Sequence, residues 1–117
     1  MSPARRKTVR KNATWEATAP IFAALGDETR LGLVARLAAE DGLSIAQLTE
    51  NTRLTRQAVT RHLEVLASTG IVRGTWRGRE HLWRLEPARL ALARRSLDQI
   101  SSWWDEKLLA LKASVEE

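Results

Sequence analysis

The chain has 117 residues, no cysteine and a formal net charge of +5. That length supplies one modest core and points to a single domain, and the lack of cysteine excludes disulfides and thiolate metal sites. No apolar run approaches the roughly 18 to 20 residues of a membrane span, and no apolar core of the signal-peptide kind follows the basic N-terminus, so the expected location is the cytoplasm, with no membrane partner.

Residues 1–14 carry five Arg or Lys, no acid and no apolar periodicity. They read as a disordered basic arm, leaving 15–117 as the folded domain. From Ala17 the pattern turns helical, with Ile21, Phe22 and Leu25 apolar and Gly26 placed as a stop. Asp27 is positioned to cap a second helix, in which Leu31, Val34, Leu37 and Ala38 form the expected buried stripe and Gly42 the end. Gly32 weakens that helix by about 1 kcal/mol relative to alanine, unless a neighbouring backbone packs close there.

Ser44-Ile-Ala-Gln47 has the form of a capping box, so a third, short helix starts at Ile45. Asn51-Thr52-Arg53 interrupts it, and Thr55 is a good N-cap for the next. From Leu54 to Gly70, Val59, Leu63 and Leu66 recur at spacings of four and three, the signature of one buried helical stripe. Gln57, Arg61, Glu64 and Ser68 lie nearly opposite, with Thr60 beside them. Short helix, brief turn and second helix with a polar outer face make a helix-turn-helix, with Ile45, Leu48, Leu54, Val59 and Leu63 as its shared core.

Ile71 to Trp76 reads as a strand, Arg77-Gly78 as a tight turn and Glu80 to Leu85 as the returning strand. A hairpin in this place is a wing, and its tip carries Arg77 and Arg79. Trp76 and Trp83 are expected on its apolar face, packed on the helices. From Arg53 to Arg95 there are ten Arg and three Glu, whereas the flanking segments are acidic. The positive charge is therefore concentrated on the helix-turn-helix and wing, as contacts to phosphate and base edges require.

Pro87 opens the last segment. Leu90, Ala93, Leu97, Ile100, Trp104, Leu108, Leu111 and Val115 follow helical spacing, giving one amphipathic helix over 88–115 about 40 Å long, more than a small winged body can cover. Trp103 widens its apolar surface. The expected partner is a second copy, meeting it through Leu97, Ile100, Trp103, Trp104, Leu108 and Leu111. The fold class is thus mainly α (α+β), a winged helix-turn-helix with a two-stranded wing and a long C-terminal dimerisation helix.

Double-stranded DNA is the partner that such a basic, outward helix face fits. Gln57 can bridge adenine N6 and N7, Arg61 can grip guanine O6 and N7, and Thr60 can touch a thymine methyl or an acceptor. Thr55, Arg56, His62, Arg77 and Arg79 are the expected phosphate or wing contacts. His62, on the flank of the buried stripe, also suits a packing role. The competing reading is a protein-interaction module whose arginines only solubilise it. An enzyme finds no support, because two scattered histidines and no cysteine assemble neither a nucleophile-base pair nor a metal cluster.

The segments ALGDETRLGLVARL at 24–37, LTRQAVTRHLEVLASTGIV at 54–72 and RGREHLWRL at 77–85 resemble the ArsR/SmtB family of bacterial winged-helix repressors. The resemblance implies a homodimer joined through first and last helices, which adds Ile21 and Phe22 of the first helix to the expected interface, with the 54–70 helix in the major groove of an inverted-repeat operator. Two mild departures are Glu28, where the family often has proline, and Trp83, where it often has tyrosine. Metal-sensing members carry cysteines at the positions of Ser44 and Ala46, and the terminal helix here contains no histidine, so no metal or other cofactor is expected. The inducing signal stays open between a small-molecule effector held against Trp103 and Trp104, a partner protein, and the protein's own concentration.

Overall fold

The computed structural model describes residues 13–116, in chain order α1 (Ala13–Leu25), α2 (Glu28–Ala39), α3 (Ile45–Thr49), α4 (Arg56–Ser68), β1 (Val72–Arg77), β2 (Glu80–Leu85) and α5 (Pro87–Glu116). The expected basic arm lies almost wholly outside the described residues. Helix α1 begins at Ala13, ahead of the expected Ala17. Pro20 sits inside it and cannot return an amide to the Glu16 carbonyl; both residues are exposed, so water can take that acceptor.

The helix starts follow the capping residues of the sequence. Asp27 accepts from the Arg30 N–H at 3.0 Å, and Thr55 accepts from the Ala58 N–H at 3.0 Å. At α3 the box is reciprocal: the Gln47 N–H donates to Ser44 Oγ at 3.2 Å and the Ser44 N–H to Gln47 Oε1 at 2.9 Å. Between α3 and α4, Asn51 takes a left-handed φ of 60°. Thr52 then pins the turn, donating to the Thr49 carbonyl at 2.6 Å and accepting from the Leu54 N–H at 3.2 Å.

One core collects Ile21 and Ala24 of α1, Leu33, Val34 and Leu37 of α2, Leu48 of α3, and Val59, Leu63 and Leu66 of α4, with Ile71 and Val72 below them. The predicted helix-turn-helix core is present, Ile45 and Leu54 at its edge. The stripe of α2 differs from expectation, because Leu31 is 54% exposed and Ala38 is exposed, while Leu33 is buried. The true stripe is Arg30, Leu33, Val34 and Leu37, a regular i, i+3, i+4, i+7 set whose first member is charged. Arg30 turns inward because its Nε donates to the Ala24 carbonyl at 2.6 Å.

The first strand runs one residue later than predicted, and the returning strand lies at Glu80–Leu85 as expected. Arg77 ends β1 and pairs with Glu80, leaving Gly78-Arg79 as the two-residue turn. Gly78 has φ of 65° and Arg79 has no positive φ, the pattern of a type II′ turn, which needs glycine first. Leu43 ties the ribbon to the body: its N–H donates to the Trp83 carbonyl at 3.0 Å and its carbonyl accepts from the Trp83 N–H at 2.8 Å. Asp41 and Arg84 form an ion pair beside it.

Helix α5 lies against α1 and the core through its first half, with its buried residues confined to the first third. Ala93 and Ser96 are buried, and Leu90 and Leu92 are packed at the core's edge. From Leu97 to Glu116 every side chain is exposed, a stretch that extends about 30 Å at 1.5 Å per residue.

Candidate nucleic-acid interface

Helix α4 is held by its buried stripe and presents the rest. Val59, Leu63 and Leu66 are fully buried, so the opposite side, Gln57, Arg61, Glu64 and Ser68, has to face outward and is exposed; Arg56, in the first turn on the stripe's side of the helix, is also exposed. Thr55, at the N-cap, is exposed as well, and the unpaired amides of the first turn stand beside it. Thr60 is half-buried and its hydroxyl donates to the Arg56 carbonyl at 2.8 Å. That proton is committed, so of the two contacts expected of Thr60 the methyl remains.

Seven exposed arginines, Arg53, Arg56, Arg61, Arg77, Arg79, Arg89 and Arg95, make no ion pair among the described residues. Arg36, Arg73, Arg84 and Arg94 each have a carboxylate partner. Arg56 and Arg61 on α4, with Arg77 and Arg79 at the ribbon's end, are exposed and make no ion pair among the described residues. Four of the seven thus stand on this helix and this tip, where their charge is open to an outside anion.

His62 has a different post from the phosphate contact expected of it. It is half-buried, with Nδ1 3.5 Å from Arg30 Nη1 and 4.0 Å from Asp27 Oδ2, so it joins α4 to the α1–α2 turn. The Arg30 N–H bond, then the nearby charges of Arg30 and His62, hold the Asp27 carboxyl below its ordinary value against partial desolvation. Arg30 was silent in the sequence because one charged residue on an apolar stripe reads as surface.

The wing tryptophans part company. Trp83 is 8% exposed and packed in the core, with its indole Nε1–H buried and without an acceptor among the described residues. Trp76, expected to pack beside it, is 71% exposed. The two share a face of the ribbon, but the helical body ends before the level of Trp76.

The residues expected at a dimer interface divide similarly. Leu97, Ile100, Trp103, Trp104, Leu108 and Leu111 are all exposed, and Leu109 and Val115 join them. Phe22 is half-buried at the core's edge. Ile21 is corrected: at 1% exposure it belongs to the chain's own core and has no surface left for a second copy. Trp15 of α1 meets Trp103 edge to face at 5.9 Å, which aligns the two helices.

Gly32 has nothing within 4 Å of where a Cβ would stand, so close packing does not explain it. It borders a groove of about 340 Å³ floored by Leu33, Leu48 and Leu54, away from Trp103 and Trp104. Among the described residues no group of three or more His, Cys, Asp or Glu could hold a metal ion, and no helix is long and apolar enough to cross a membrane.

Comparison with known proteins agrees with this geometry. Residues 25–75 match a family model described as a helix-turn-helix domain. The HTH-type transcriptional regulator Rv2034 of Mycobacterium tuberculosis is 32% identical over 87 residues, covering 74% of this chain and 80% of that protein. A solved ArsR-like transcriptional regulator from Rhodococcus sp. RHA1 superposes with a TM-score of 0.75 at 35% identity, over 86% of this chain and 94% of that one. The homodimeric winged helix-turn-helix DNA-binding domain Mb0332 of Mycobacterium bovis shares the fold, with a TM-score of 0.61 at 24% identity, over 80% of this chain and 84% of that one. These relatives are regulators rather than enzymes, and the chain belongs with them to the ArsR-like winged helix-turn-helix transcriptional regulators.

Proposed function

We propose that this regulator is a cytoplasmic homodimeric repressor that reads an inverted-repeat operator, without a metal signal. The observation that carries the reading is the set of four exposed arginines, Arg56, Arg61, Arg77 and Arg79, left without carboxylate partners on α4 and the wing. Gln57, Thr60 and Arg61 read base edges in the major groove; Thr55, Arg56, Arg77 and Arg79 hold phosphates. The apolar surface from Leu97 to Val115 supports a second copy as partner, since so large an exposed patch normally marks an interface. Homodimeric Mb0332, with the same fold, is consistent with that arrangement. A two-fold axis through α5 sets the two α4 helices in successive major grooves about 34 Å apart. Ser44 and Ala46, which offer no thiolate, support a signal other than metal.

Genome-wide mapping of bound DNA tests the reading. It should recover a motif of two inverted half-sites one helical turn apart, with transcription of the adjoining genes rising when the protein is deleted. A single unpaired half-site would remove the dimer, transcription falling on deletion would remove repression, and no enriched motif would remove sequence-specific reading.

A further inference from the structure

The wing carries an aromatic ladder that its arginines do not explain. Val72, Gly74 and Trp76 of β1 share one face of the ribbon with Leu85, Trp83 and His81 of β2, paired across the ladder in that order. The His81 ring stacks on Trp76 with centroids 4.7 Å apart and planes 10° from parallel, and it leans on Trp83 at 4.8 Å. The run thus climbs from a core tryptophan to one that stands in solvent.

Gly74 makes the run possible. A Cβ there would lie 2.3 Å from His81 Nε2, so any side chain would evict the imidazole. Glycine inside a strand weakens it and commonly marks the close approach of another group. Here that group is the ring that braces Trp76. An indole at the end of a hairpin would ordinarily sample several rotamers; this one is stacked in place, so the ordering cost of a contact is met beforehand.

The neighbours of the exposed indole indicate what it contacts. Arg77 follows it directly and Arg79 lies across the turn, both exposed and without ion pairs among the described residues. A flat apolar surface at the same end of the ribbon as two free guanidiniums, Arg77 on the opposite face and Arg79 in the turn, fits the minor-groove wall, where deoxyribose edges lie between two rows of phosphates. The indole adds a direction, because Nε1–H can only donate. The minor-groove edge of an A·T pair offers only the acceptors adenine N3 and thymine O2, while G·C interposes the guanine amino donor.

Building on the proposed operator reading, we propose that Trp76 is a specificity-determining DNA contact of the wing, packing against minor-groove sugars beside each half-site and favouring A·T pairs there. Gly74 and His81 act as positioning residues for it.

The test uses full-length protein on duplexes selected from a random pool by the wild type, with two footprints on each complex. Hydroxyl radicals report sugars in the minor groove; methylation of guanine N7 reports the major groove under α4. Trp76→Ala should keep the guanine protection, lose the sugar protection flanking each half-site and bind about tenfold more weakly. Trp76→Phe, which keeps a ring and lacks the donor, should hold most of the affinity and lose the A·T preference. Gly74→Ala should fall between them, with the indole present and unbraced. Trp76 is exposed, so its substitution leaves the fold intact. Unchanged affinity and unchanged sugar protection in Trp76→Ala would overturn the proposal while leaving the operator reading standing. Absence of both footprints with the wild type would overturn the operator reading and this proposal with it.

Discussion

Ser96 Oγ donates to Thr18 Oγ1 across 3.0 Å, with both side chains buried between α5 and α1. Two hydroxyls buried at a helix crossing fix the register of those helices, because sliding either one strands a polar group in the core. Beyond Ser96 the helix keeps one described ring contact with α1, Trp103 on Trp15, and its side chains are exposed. Substituting Ser96→Ala should cost about 1 kcal/mol in a urea melt, and the Thr18→Ala and Ser96→Ala pair should show coupling of similar size in a double-mutant cycle. Strict additivity would mean that the contact contributes nothing.

The exposed length of α5 leads to a separation of roles. Leu108→Glu places a charge on surface that is bare in the single chain, so it should leave the melting of each chain's body nearly unchanged while shifting the species seen by sedimentation from dimer to monomer. Ile21→Ala should do the reverse, costing roughly 2 to 5 kcal/mol through the cavity it leaves in the core. A monomeric wild type at micromolar concentration would contradict the assignment of this face.

Asp27 gives the acid side of the stability curve a direction. Its carboxyl is held below the ordinary 3.8 by the Arg30 N–H and the charges of Arg30 and His62. Near and below 3.8 the unfolded chain therefore binds more protons than the folded one, and stability rises with pH there. The contribution is complete above 3.8 and is lost as pH falls through the lower folded-state value. Asn is also a good N-cap, so Asp27→Asn should fold normally at pH 7 and lose less stability than the wild type on going to pH 3. Equal losses in urea melts at the two pH values would remove Asp27 from the account.

Much of the fold was legible because local signals agreed with one another. Three caps, Asp27, Ser44 with Gln47, and Thr55, stand at the helix starts they mark, and the stripe Val59, Leu63, Leu66 orients α4 outright. What stayed hidden was polar or tertiary. Arg30 and Ser96 occupy inward positions that an apolar stripe would claim, and their partners, Ala24 O and Thr18, are set by helix docking rather than by sequence spacing. Strand alternation gave Trp76 and Trp83 the same face, which is right, and could not say where along the ribbon the helical body stops. The face of α4 was readable; the post of His62 against Asp27 and Arg30 was not.

The wing arginines predict a salt signature. Arg79 is exposed and without an ion pair among the described residues, and the phosphate contact proposed for it would be ionic and indifferent to sequence. Arg79→Ala should weaken binding to every duplex alike and reduce the slope of log affinity against log salt by about one. An unchanged slope would place Arg79 away from phosphate.

The claim that α4 reads bases through Arg61 is tested most directly by the affinity of Arg61→Ala for a selected operator and for random duplex at one salt concentration. Loss of a guanine contact should cost roughly 1 to 3 kcal/mol on the operator and far less on random DNA, narrowing the ratio between them. Equal losses on both would contradict the account, leaving Arg61 as one more phosphate contact and α4 without its principal reader.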